Sequence, residues 1–246
     1  MARKRPAPRN NARANRSRKK RSWWLYLISI LVLAGIVFWA WNWWVMRSFV
    51  PDTELYPEQG VALSERQGSV TFPTVRALGG QFAYLEASRG ARGQDARFGP
   101  HLRAARDAGL QVGAVHIFDP CIPADGQSAN YVTMVPRDAD LLAPVIALDD
   151  TSDDCPSRVS DASVESELMT LINQVEMHAG KPVILKVSER FEKRYRISAQ
   201  LERGLWLIRD RLAPSYSGRP WLLWSANQGL VTEASDQPLE WVVVQP

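Results

Sequence analysis

At 246 residues, 46% of them hydrophobic, the chain is long enough for one large domain or two small ones with a sizeable core. It carries 30 Lys and Arg against 26 Asp and Glu, but eleven of the cations precede residue 48 and the first acid is Asp52. The remaining 19 cations face all 26 acids, so the overall basicity belongs to the N-terminal end and excludes a basic, nucleic-acid-binding surface on the folded part.

In chain order, residues 1–22 hold ten Lys and Arg and no acid. This stretch is expected to be a disordered tail, a topology signal beside anionic lipid with no specific nucleic acid as partner. Trp23 to Val45 follows, 23 residues without a charge. As a helix it would be about 34 Å long, enough to cross a hydrocarbon core of about 30 Å. Trp23, Trp24 and Tyr26 stand at one end and Trp39, Trp41, Trp43 and Trp44 at the other, as in the aromatic belts of membrane spans. Bulky residues rather than small ones end the run, so an uncleaved anchor is expected and not a signal peptide. The cations place the N-terminus in the cytoplasm and the rest of the chain across a bacterial inner membrane, in the periplasm.

Residues 46–55 read as a short linker and 56–246 as the exported domain. Apolar runs predict eight strands there: 60–63, 82–88, 111–118, 143–150, 181–187, 204–209, 220–226 and 239–244. Helices are predicted over 97–110, with Gly109 at the C-terminal cap, and over 126–136, stopped by Pro136. A longer helix carries Val164, Leu168, Leu171, Ile172 and Val175 on one face and ends near Gly180. Strands alternating with helices imply right-handed βα units and a parallel sheet. About eight strands in under 200 residues favour closure into an irregular TIM-like β/α barrel. The fold class is therefore α/β, preceded by one transmembrane helix.

Cys121 and Cys155 both lie in the exported part, in loop-like surroundings, and a pair in an oxidising compartment is expected to form a disulfide. Three His, and no Cys or His at ligand spacing from either Cys, give no metal site. There is no Gly-rich phosphate loop, and no Gly-x-Ser-x-Gly elbow to support a serine nucleophile; no cofactor is expected. In a barrel the chemistry sits at the C-terminal ends of the strands. Ser64, Glu86 with Ser88, His116 with Asp119, Asp149 with Asp150, and Ser225 with Asn227 all fall there.

The order of motifs resembles glycoside hydrolase family 25, the lysozymes that cut the muramic acid linkage of peptidoglycan. "YPEQGVALSERQGSVTF", "FAYLEASRG", "AARDAGLQVGAVHIF", "QSANYVTMVP", "APVIALDD" and "HAGKPVILKV" follow the family's motifs in order across residues 56–226. The loop cysteines are similar to those of its Gram-negative branch. The resemblance implies catalysis by carboxylates: one acid on the first strand and an Asp-x-Glu pair on the fourth. The first acid falls on Ala62. Aligned from Pro144, the pair falls on Leu148 and Asp150. The candidate catalytic residues are thus Asp150 as a shortened proton donor, with Glu86 or Asp149 as helper. Tyr84, His116, Trp206 and Trp224 are candidate sugar contacts. Ser64 and Gln67 read first as turn formers. Two functions follow from the resemblance: a muramidase of weakened activity, or a degenerate enzyme that only binds glycan or an envelope protein. Peptidoglycan glycan strands are the expected partner of either.

Overall fold

The computed structural model describes residues 12–246, with residues 12–22 and Met46 described by their backbone alone. The chain forms two compact units, one ending at Met46 and the other running from Arg47 to Pro246. The first is a single helix, α1, Ala12–Arg47. Its apolar part, Trp23–Val45, has the length and composition of a membrane span or of a signal sequence. Backbone helix starts eleven residues before that run, within the stretch read as a disordered tail. Alanine, arginine and lysine there are strong helix formers. The part of that tail before Ala12 lies outside the described residues.

The second unit is a closed barrel. Its strands are β1 Gln59–Leu63, β2 Gly80–Arg89, β3 Gly93–Gln94, β4 Gln111–Ile117, β5 Val145–Leu148, β6 Ile184–Val187, β7 Gly204–Ile208, β8 Leu223–Leu230 and β9 Leu239–Val244. They pair in the order β1-β9-β8-β7-β6-β5-β4-β2-β3, and β1 also pairs with β2, which closes the ring. The two-residue β3 is only a hairpin arm on β2. The pairs from β1 through β2, β4, β5, β6, β7 and β8 are parallel. β9 runs against both its neighbours, so the sheet is not wholly parallel as expected. The cause is the connection 231–238, which holds no helix. A parallel crossover needs a dozen or more residues.

Around the barrel lie α2 Phe72–Ala77, α3 Phe98–Asp107, α4 Ala124–Met134, α5 Asp161–Ala179, α6 Glu189–Tyr195 and α7 Ile197–Gln200. α5 buries the five residues of its apolar stripe. The Ser160 side chain caps its first turn and Gly180, at φ 68°, ends it in the left-handed region. Alternate strand residues split into two cores. Val61, Leu85, Ile146, Leu148, Leu185 and Trp241 belong to the outer one, between strands and helices. Ala62, Phe82, Tyr84, Val115, Ala147, Ile184 and Trp206 fill the barrel. Gly113 is required by that filling, because a Cβ there would stand 2.1 Å from the Tyr84 ring.

The stretch 46–55, expected as a linker, is packed onto the barrel unit from Arg47 onward. Val231 N–H donates to the Arg47 carbonyl at 3.0 Å. Asn227 Nδ2 donates to the Phe49 carbonyl and Gln59 Nε2 to the Pro51 carbonyl, each at 3.0 Å. Pro51 is buried.

Candidate functional site

A groove of about 260 Å³ opens at the C-terminal ends of the parallel strands. It is built upward from the barrel filling. Ala62, Tyr84, Val115 and Ala147 belong to both the inner core and the groove wall. One step further along their strands the same inward face carries polar groups: Ser64, Glu86, Asp149 and, on β6, Lys186. Arg66, Gln67, Arg89, Gln228 and Glu240 complete the polar lining.

The turn after β1 is stiffly made. Ser64 and Gln67 form a reciprocal capping box over the 3-10 turn Glu65–Gln67. Buried Asp95 accepts from the Glu65 N–H at 2.6 Å, and Gln67 Nε2 donates to the Pro238 carbonyl at 3.1 Å. Both residues are thus occupied in holding the rim, the role the sequence assigned them first.

The carboxylates differ in their engagements. Glu86 pairs with Arg89 at 3.1 Å. Glu240 takes the Lys186 ammonium on both oxygens, at 2.6 and 2.7 Å. It also accepts the Ser225 hydroxyl, which in turn accepts from Trp206 Nε1 at 2.7 Å. Asp149 lines the groove and has neither an ion pair nor a hydrogen bond among the described residues. Asp149 and Asp150 are both exposed, and Asp150 is not part of the lining. Its carboxyl is pushed up, first by burial, then by the charges of Asp154 and Asp149, against Arg89 and Arg190.

Strand alternation corrects the alignment made from Pro144. Leu148 shares its face with Ile146 and is packed in the outer core at 1% exposure. The groove takes Ala147 from β5 and Asp149 from just past its end. A slip of one residue exchanges the two faces; the groove is lined by methyl groups at 62 and 147 and a carboxylate at 149.

Three expected sugar contacts lie elsewhere. His116 is fully buried, hydrogen-bonded to Ser88 at 2.8 Å and to Gln127 at 3.4 Å. A bulge between Glu86 and Ser88 shifts the register against β4 and separates the two, leaving Glu86 in the groove and Ser88 with His116. Asp119 is used by its loop, accepting from the Cys121 N–H at 2.8 Å. Trp224 belongs to the outer core against Tyr56 and Trp221, its Nε1 donating to the Arg209 carbonyl. Trp206 is inside the barrel but fully buried, with Lys186 Nζ 4.5 Å over its ring. Tyr84 does line the groove, while its hydroxyl reaches the Ala143 carbonyl at 3.3 Å. Asn227, paired in register with Trp241, is engaged with Phe49. Lys186 and Glu240 escaped the sequence reading. The available signal was a lone charge in each of two apolar strands, "VILKV" and "LEWVVV".

Cys121 and Cys155 form the expected disulfide, joining the loop after β4 to the turn after β5. No cluster of metal-ligating side chains occurs among the described residues.

Burial makes His116 a pH reporter. Its imidazole is lowered to about 4 from 6.5, chiefly by desolvation, against the Gln127 hydrogen bond, with Arg89 lowering it further. The unfolded chain therefore takes up its proton first as pH falls. The stabilisation is full above about pH 6.5 and is lost between there and pH 4, about 3 kcal/mol in all. Denaturant midpoints at pH 7 and pH 4.5 should converge in His116→Gln relative to the parent; an unchanged slope would show that other groups carry the acid sensitivity.

The model of the glycosyl hydrolases family 25 matches residues 61–228. The fold is similar to a family 25 glycosyl hydrolase from Bacillus anthracis, with TM-score 0.72 and 23% identity over 81% of this chain and 93% of that one. It is also similar to a lysozyme from Streptomyces coelicolor, with TM-score 0.67 and 18% identity over 77% and 92%. Lysozyme M1 of Streptomyces globisporus is 34% identical over 73 residues, 30% of this chain and only a quarter, 25%, of its own length. A match covering most of the barrel unit, on a barrel of the same architecture with its groove at the strand C-termini, makes the chain a member of glycosyl hydrolase family 25.

Proposed function

We propose that the protein is a membrane-anchored glycan holder. Its barrel takes peptidoglycan glycan strands in the groove and cleaves them far more slowly than a full carboxylate set would. The observation that carries this reading is the pair of methyl groups at Ala62 and Ala147, both facing the groove. Glycoside cleavage needs one carboxyl to protonate the leaving oxygen and a second group to meet the oxocarbenium-like charge. Asp149 is the groove carboxylate without an ion-pair or hydrogen-bond partner among the described residues, which makes it the proton donor of whatever hydrolysis remains. Asp150 has the raised carboxyl but stands outside the lining, and a general acid must first be within reach of its oxygen.

The run Trp23–Val45 is read as the anchor, in a bacterial inner membrane. The ten cations before it place the tail on the cytoplasmic side, near anionic lipid, and the barrel in the periplasm. The disulfide supports export. Residues 1–22, 23–45 and 56–246 are accordingly tail, anchor and glycan-holding domain.

The test is full-length protein in detergent with isolated peptidoglycan, scoring co-sedimentation and new reducing ends by mass spectrometry. Expected are binding, slow release of ends, loss of those ends in Asp149→Asn, and their persistence in Asp150→Asn with binding kept in both. Turnover at the pace of an ordinary lysozyme, or no co-sedimentation, would sink the reading.

A further inference from the structure

The floor of the groove carries a charge arrangement that the glycan reading does not use. Lys186 on β6 lies directly across from Ala147 on β5, and Glu240 on β9 directly across from Ala62 on β1. The two charged side chains meet over the space that the two alanines leave. Lys186 Nζ binds both Glu240 oxygens, at 2.6 and 2.7 Å, and sits 4.5 Å above the centre of the Trp206 ring. Ser225 donates to Glu240 and itself accepts from Trp206 Nε1. The side chains are only 14% and 21% exposed, so water screens the pair weakly. A cation over an indole face, held by a carboxylate, is fixed in place.

We propose that Lys186 is a positioning residue that withholds Glu240 from the bound sugar and so keeps the groove a holding site. The inference rests on the glycan reading. Two physical effects act together. The oxygens of Glu240 are already engaged, so it cannot support charge on a ligand. The ammonium stands on the groove floor, where positive charge developing on a sugar ring would be repelled. Removing the cation frees a carboxylate beside Ala62, in the groove that also holds Asp149.

Lys186→Met, Lys186→Gln, Lys186→Arg and Lys186→Met/Glu240→Gln are compared with the parent, full length in detergent, on isolated peptidoglycan. Thermal unfolding confirms that each is folded. Lys186→Gln is a second, polar way to remove the cation should the methionine variant not fold. Expected is a rise of at least about tenfold in new reducing ends for the uncharged single variants. Lys186→Arg, which keeps the cation, should show no such rise, and the double variant should lose the gain. Co-sedimentation should persist in each variant. A folded, glycan-binding uncharged variant with no gain would overturn the role of Lys186 alone, as would a gain that survives without Glu240. A parent that does not bind glycan would overturn the glycan reading, and this role with it.

Discussion

Ala147→Asp should raise the release of new reducing ends from peptidoglycan by about 10²–10⁴-fold, the range a missing acid–base partner typically represents. The position lines the groove with Asp149, two residues on and just past the end of β5. Two strand residues set their Cα atoms about 7 Å apart, on the scale of the carboxyl separations at which glycosidase pairs work. Ala147→Asn is the matched control, with the same size and no charge. Mass spectrometry of the released ends decides between them. A gain in the asparagine variant, or none in the aspartate variant, would mean that the absent carboxylate is not what limits cleavage. The expectation depends on Ala147, and not Leu148, being the groove position, so it also tests the strand parity.

Replacing Cys121 and Cys155 by alanine should cost about 4 kcal/mol, the chain-entropy value for a closed loop of this size. The two residues are 34 apart in sequence and join the ends of β4 and β5 through their loops. For a domain near 200 residues this corresponds to a fall of roughly 8–16 °C in the unfolding midpoint. The same fall should follow addition of reductant to the parent. Equal midpoints with and without reductant, or thiol labelling of the unreduced protein, would contradict the bond. The loop it closes carries Asp149, so groove order should decline with it.

The eight strands that make up the barrel were legible because each is an apolar run of ordinary strand length set between helical patterns. The α5 stripe and its Gly180 stop were legible for the same reason: hydrophobic periodicity is a local property. The short helices α6 and α7 were not read. "ERFEKRY" is mostly charged, and its helix rests on the Ser188 cap and the burial of Phe191 and Tyr195. The direction of β9 was also hidden, since strand polarity depends on the connection and on which neighbours complete the ring.

What the sequence determined by itself was an apolar helix ahead of a barrel unit, the number of barrel strands, the disulfide and the methyl group at 62. Each follows from residue type or local spacing. The tertiary structure alone decided which side chains face the groove. Parity turned Leu148 out and Asp149 in, and a bulge turned Ser88 out to His116 while Glu86 stayed at the groove. It also brought Lys186 and Glu240 together across 54 residues of sequence. Facing is a property of register, and register is fixed only when a strand meets its neighbours; one residue of slip exchanges the core for the site.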